Sequence, residues 1–157
     1  MPFIHLTTFI AAPAERVFDL SRSVSLHKYS MSRYDESIID GTISGLMDKD
    51  QTVTWKARHL LKNRTIKVKI SQLERPAYFL DEQVQGPFQM MKHEHYFKPI
   101  ENGTIMIDQF WFEIPRGMLG RLINRLYLEK YMVRLLNERN EIIKKVAEGN
   151  QWKQYLS

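Results

Sequence analysis

Residues 52–70, TVTWKARHLLKNRTIKVKI, alternate apolar and polar side chains through two runs joined by a short interruption. Val53, Trp55, Ala57 and His59 fall on one side, and Thr52, Thr54, Lys56 and Arg58 on the other. Beyond Lys62-Asn63, Ile66, Val68 and Ile70 alternate in the same way with Thr65, Lys67 and Lys69. Successive side chains of a strand point to opposite faces, so a period of two marks a half-buried strand. The stretch predicts two antiparallel strands turning at Lys62-Asn63, with one apolar face and one wet face.

The same period extends outward. Pro76 opens a strand over residues 78–85, closed by Gly86-Pro87, and strands at 88–98 and 104–114 follow. The last two are joined through Asn102-Gly103, a strong hairpin signal. Consecutive hairpins argue for an antiparallel meander rather than crossover units. Upstream, residues 36–40 form a short strand ended by Gly41, and residues 3–10 form another. Ala11-Ala12-Pro13 breaks that first strand, and proline suits the first turn of a helix. Ala14, Val17, Phe18 and Leu20 then mark a short helix over 14–22. Residues 23–30 form a second, with Ser23 or Ser25 as its cap.

After Pro115 the period becomes helical, over residues 117–148. Leu128, Tyr131, Met132, Leu135, Ile142, Ile143 and Val146 make one apolar stripe. Met118, Leu119, Leu122, Ile123 and Leu126 make a second that points elsewhere, which implies a bend or a separate apolar neighbour. Trp152 and Tyr155 in the tail either tuck back or fray. An antiparallel sheet must cover its apolar face, and a long amphipathic helix in the hollow of a curled sheet does so. The expected fold class is α+β: about six to seven strands wrapped around a long C-terminal helix, with two short helices after the first strand. A cavity between sheet and helix is the expected ligand site.

The chain has 157 residues, 43% hydrophobic and 26% charged, with no cysteine. That length suits one domain over residues 1–157. Disulfides, thiolate metal sites and a cysteine nucleophile are excluded. No apolar run reaches the ~20 residues needed to span a bilayer, and no basic segment leads into an apolar one at the start, so a cytoplasmic location is expected. Residues 1–115 are charge-balanced, whereas residues 116–157 carry nine Lys and Arg against four Asp and Glu. A basic segment of this kind suits an anionic membrane surface, a nucleic acid or an acidic partner, although a solvated helix face is the simpler account and the one expected.

Several phrases resemble a known family. Residues 10–20, IAAPAERVFDL, look like the opening of START-like, Bet v 1-like helix-grip domains (the SRPBCC superfamily). Gly86-Pro87-Phe88, His93-Glu94-His95-Tyr96-Phe97, Gly103-Thr104 with Asp108, and Pro115-Arg116-Gly117 are similar to its polyketide cyclase/dehydrase and lipid-transport branch of small bacterial proteins. The resemblance spans nearly the whole chain. It implies the helix-grip fold and a hydrophobic ligand such as a lipid, quinone or polyketide; only some members catalyse a reaction, so fold does not deliver function.

Motifs for phosphate cradling, dinucleotide binding, zinc proteolysis and serine hydrolysis are absent from the sequence. Basic residues are not interleaved with aromatics in a nucleic-acid pattern, so no nucleic-acid partner is expected. His93, Glu94 and His95 form the densest polar cluster, and residues two apart on a strand share a face. A two-residue Asn102-Gly103 turn pairs Glu101 with Thr104, Phe97 with Asp108 and His95 with Phe110. His93, His95, Phe97, Asp108, Phe110 and Phe112 then point one way, inward because of the aromatics. Counting through a two-residue Gly86-Pro87 turn adds Tyr78, Leu80, Glu82 and Val84 to that side.

The expected ligand-binding residues are Trp55, His59, His93, His95, Phe97, Asp108, Phe110, Leu128, Met132 and Leu135. The leading function is non-covalent binding, transport or sensing of a small hydrophobic molecule, with no cofactor. A cyclase- or dehydratase-like enzyme is the alternative, with His93 or His95 as proton-transfer group and Asp108 orienting the ring. A metal held by His93, His95 and Asp108 lacks a motif for its third ligand and is not expected. Residues 116–130, with Arg121 and Arg125, are a candidate for peripheral membrane contact or for gating the cavity, against plain core packing. An interaction module built on the basic helix is the third reading. Tyr96 and Trp111 fall on the outer face, where they suit a homodimer contact.

Overall fold

The computed structural model describes residues 2–115 and 121–156, with side chains throughout except at 121–124. Seven strands form one antiparallel sheet: β1 (Phe3–Ile10), β2 (Ser37–Gly41), β3 (Thr52–His59), β4 (Lys62–Glu74), β5 (Tyr78–Gln85), β6 (Met90–Ile100) and β7 (Gly103–Glu113). Their order is β1-β7-β6-β5-β4-β3-β2, a meander from β2 to β7 with β1 folded back on the last strand. Two short helices, α1 (Ala14–Ser21) and α2 (Val24–Ser30), follow β1; the long α3 (Arg121–Glu148) and the short α4 (Trp152–Leu156) close the chain. Ser23 caps α2 by accepting from the Leu26 amide at 3.2 Å.

The apolar face of α3 explains its position. Leu135, Leu136, Ile143, Val146 and Ala147 are buried, at the spacing of one helical stripe. Ile143 and Val146 join Val17, Phe18, Leu20, Val53 and Phe79 in the main core. Burying one such aliphatic side chain is worth about 1.5–3 kcal/mol, so this stripe anchors α3 against the sheet. The tail tucks back: the Arg16 guanidinium lies 4.1 Å above the Trp152 ring, and Tyr155 and Leu156 pack on the main core. The second expected stripe is only partly within view. Met118 and Leu119, the Pro115-Arg116-Gly117 phrase beyond Pro115, and the side chains of Arg121, Leu122 and Ile123 lie outside the described residues. Leu126 is exposed rather than packed.

The turns differ from the sequence expectation, and their geometry decides which side chains face inward. The β3–β4 turn is Leu60-Leu61, not Lys62-Asn63, since His59 pairs with Lys62. Both leucines have positive φ, 52° and 67°. A two-residue hairpin turn whose twist matches its strands requires positive φ at both centres, a conformation costly for a branched side chain. The β6–β7 turn is Glu101-Asn102, because Ile100 pairs with Gly103. Gly103 is needed for close approach: a Cβ there would stand 2.4 Å from the Ile10 carbonyl oxygen of β1. This moves the register by two residues, so His95 faces Asp108 and His93 faces Phe110. A shift of two preserves sidedness, and the expected inward face of β6 and β7 is correct.

The β5–β6 count is wrong by one, which reverses β5. Phe79 pairs with His95, Asp81 with His93 and Tyr78 with Tyr96. Phe79 and Asp81 therefore face inward, while Tyr78, Glu82 and Val84 lie on the outer side, with Leu80 paired to Glu94. The connection is wider than two residues. Gln83 stays at its base and bonds both backbone groups of Phe88, accepting from the amide at 3.2 Å and donating to the carbonyl at 2.8 Å. Tyr96 and Trp111 are on the outer face as expected, against Tyr78 and Phe3.

Candidate functional site

Two carboxylates and two imidazoles meet in the inner wall of the sheet. His93 and His95 are adjacent-but-one on β6, and their ring centroids lie 3.7 Å apart. His93 Nε2 is 2.7 Å from Asp108 Oδ1 on β7, and His95 Nε2 is 2.7 Å from Asp81 Oδ2 on β5. The other His95 nitrogen, Nδ1, stands 3.4 Å from Asp108 Oδ1 and makes no hydrogen bond. Phe79 stacks on the free face of His95 at 4.0 Å, fixing the ring plane.

Helix α3 completes the cluster from the opposite side. Asn140 Nδ2 donates to Asp108 Oδ2 at 2.6 Å, and Arg139 places Nη1 3.4 Å from Asp108 Oδ1. The same Arg139 nitrogen donates to Asn140 Oδ1 at 2.9 Å. Both residues are buried. Burial alone would raise the Asp108 carboxyl, but the hydrogen bond from His93, the nearby His95 ring and the charge of Arg139 hold it well below the usual carboxylate range. Asp81 is lowered for the same balance of reasons, with His95 the main opponent of burial. Burial, reinforced by neighbouring His95, pushes His93 down to about 4, so its ring is neutral at neutral pH.

A second polar pair stands elsewhere on the same cavity. The Tyr131 hydroxyl of α3 lies 2.7 Å from His59 Nδ1 at the end of β3. Burial lowers the His59 pKa and raises that of Tyr131 to about 12, so a neutral imidazole accepts from a neutral phenol. Near it, His27 Nε2 lies 3.0 Å from Glu36 Oε1, and the His27 ring is 4.5 Å from that of Trp55. The other oxygen of Glu36 is buried without a partner among the described residues.

Between these groups lies a cavity of about 500 Å³, walled largely by apolar side chains such as Val53, Ile66, Val68, Ile70 and Met91. Of the residues expected at the site, Trp55, His59, His93, His95, Phe110, Leu128, Met132 and Leu135 line it. Two do not. Phe97 packs among Phe18 and Phe79 in the core, with ring centroids 5.2 and 5.9 Å away. Asp108 is fully buried behind the two imidazoles and reaches the cavity only through the side chains that it holds.

Sequence reasoning missed Asp81, Arg139, Asn140, His27 and Glu36. Asp81 was lost to the wrong β5 register. Arg139 and Asn140 were visible, because they occupy the stretch between Leu135 and Ile143 where the stripe calls for apolar residues. Polar groups there must have buried partners.

This arrangement of strands and helices is shared with solved structures. The aromatase/cyclase ZhuI from Streptomyces sp. R1128 superposes with a TM-score of 0.76 at 17% identity, covering 94% of this chain and 93% of that one. The helix-grip fold is established. TTHA0849 from Thermus thermophilus gives 0.69 at 17% identity, with 90% and 97% of the two chains covered. Major latex-like protein 151 from Panax ginseng gives 0.68 at 10% identity, covering 94% and 98%. No family model and no curated protein sequence matches the chain. The helix-grip, Bet v 1-like architecture expected from residues 10–20 and the meander is therefore confirmed by structure at identities where sequence comparison is silent.

Proposed function

We propose that this helix-grip protein binds one small amphipathic molecule non-covalently, with its apolar body in the cavity and a hydrogen-bonding group against His93, His95 and Asp81. The observation that carries this reading is the composition of the cavity: about 500 Å³, apolar over most of its wall, with a few convergent polar groups on its inner side. Trp55, His59, Phe110, Leu128, Met132 and Leu135 supply the remaining proposed contacts. Native mass spectrometry of protein isolated from its own host, with extraction of whatever co-purifies, tests it. A reproducible hydrophobic mass at one per chain supports the reading. Protein that is empty and fails to enhance the fluorescence of an anilinonaphthalene sulfonate probe sinks it.

A second reading rests on the His93–Asp108 contact. A neutral imidazole backed by a carboxylate and facing a cavity is equipped to accept a proton from a bound molecule. The polyketide cyclase-like alternative thus has a specific base, His93, with Asp108 and His95 orienting it. His93→Gln separates the readings: it leaves affinity near wild type if the protein only binds, and abolishes turnover with little change in affinity if it catalyses.

Exchange of such a molecule fits a rim of exposed apolar residues. Leu61 is 86% exposed and Tyr127 60% exposed, and the neighbouring Leu60 and Tyr127 itself line the cavity. Arg125, half-buried, lies two residues before Tyr127 in the chain, and Lys62 follows Leu61. Peripheral contact with an anionic bilayer through this rim is the proposed route. Co-sedimentation with vesicles containing phosphatidylserine, lost in Leu61→Asp, checks it.

A further inference from the structure

Asp81, His93 and His95 each bring one donor atom to within 4.8 Å of the other two. All three line the cavity. We propose that they form a binding site for one divalent first-row transition ion, zinc or ferrous iron, with its open coordination positions facing the cavity. These are the side chains that the proposed function sets against the ligand's polar group, so a bound ion would meet that group in their place.

The surroundings supply what such a site needs. A metal-bound imidazole ordinarily donates its other N–H to a carboxylate, which sets the tautomer and the ring plane. Asp108 occupies that place for both rings: it takes His93 Nε2 at 2.7 Å and lies 3.4 Å from His95 Nδ1. The nitrogens left over are His93 Nδ1 and His95 Nε2, and the latter is already 2.7 Å from the Asp81 carboxylate. Asn140 and Arg139 pin Asp108 from the helix, so the backing group is itself held. Two imidazoles and one carboxylate suit zinc or ferrous iron better than calcium or magnesium, which prefer oxygen alone.

Two further observations point to a cation. Among the described residues His95 Nδ1 is buried with no hydrogen-bond partner, in a residue only 1% exposed. Placing a metal on Nε2 requires Nδ1 to carry the proton, and that N–H then has Asp108 as acceptor. The charges of the cluster also do not balance among the described residues: Asp81, half-buried, and Asp108, fully buried, are two carboxylates, and Arg139 is the one guanidinium on Asp108. A dication offsets that deficit. With bonds of about 2.1 Å a tetrahedral ion sets its donors about 3.4 Å apart, so a pair at the 4.8 Å limit closes by about 1.4 Å through side-chain rotation.

The test uses full-length protein stripped with a chelator, then titrated with Co²⁺ and with Zn²⁺. One equivalent of Co²⁺ should bind, with visible d–d absorption, and Zn²⁺ should displace it. Asp81→Asn and His95→Gln should each weaken binding at least about tenfold, while His5→Gln, at an exposed position on β1, binds as wild type. Should those two variants fail to fold, anomalous diffraction from wild-type crystals grown with Co²⁺ reads the same claim directly, as a peak between Asp81, His93 and His95. Absence of binding, a peak elsewhere, or undiminished affinity in folded Asp81→Asn overturns the proposal.

Discussion

The Tyr131 hydroxyl and His59 Nδ1 meet at 2.7 Å, tying the end of β3 to the long helix across the cavity. Tyr131→Phe keeps the ring and removes the donor, leaving a half-buried imidazole nitrogen unsatisfied. The expected loss is about 1–2 kcal/mol in urea denaturation with an unchanged m-value. Because this bond fastens helix to sheet beside the rim, ligand release should also quicken in stopped-flow displacement.

Asp108→Asn should be far more damaging. It leaves the Arg139 guanidinium buried without its counter-charge, and breaking one partner of a buried pair costs about 3–5 kcal/mol. The variant should melt far below wild type or accumulate as insoluble protein. A loss under about 1 kcal/mol would show that water already reaches Arg139.

Acidification should destabilise the metal-free protein through His93. Its folded pKa of about 4 lies below the ~6.5 of an unfolded histidine, so between those values the unfolded chain binds the extra proton. Stability is thus fully present above about pH 6.5 and falls as the pH drops towards 4, by at most about 1.4 kcal/mol per pH unit from this group. Denaturation midpoints at pH 7.5, 6 and 5 measure the slope. His93→Gln should flatten it over that window, and an unaltered slope would assign the effect to other groups.

Leu61→Gly should stabilise. The side chain is 86% exposed and the backbone sits at φ 67°, so little packing is lost and left-handed strain is relieved. A gain of about 1 kcal/mol is expected in thermal unfolding, together with weaker vesicle binding. A strained residue kept in a rim next to a cavity is the pattern of a position retained for use rather than for stability.

Periodicity was enough to place nearly every strand and helix, because alternation at Val53-Trp55-Ala57 and the spacing at Leu135-Ile143-Val146 report burial directly. Sidedness of β6 and β7 survived a misplaced turn, since an error of two residues returns each side chain to its own face. The β5 register did not survive an error of one, and Asp81 disappeared from view with it. No local signal marks that wide turn; the bond from Gln83 to Phe88 that sets it is a tertiary fact. Phe97 and Phe110 share a face, yet one fills core and the other lines the cavity. That division depends on where α1 lies, as the contact of Phe97 with Phe18 shows, and strand alternation carries no such information.

Among the described residues the opening strand pairs with the closing one alone, Ile4 facing Phe110 and Ile10 facing Thr104. During synthesis its ribbon must therefore wait, edge unmated, until some hundred further residues have left the ribosome. Long-range pairing of this kind slows folding and exposes apolar edges meanwhile. Until that closing strand arrives, the order of synthesis leaves the first ribbon's hydrogen-bonding groups to the solvent.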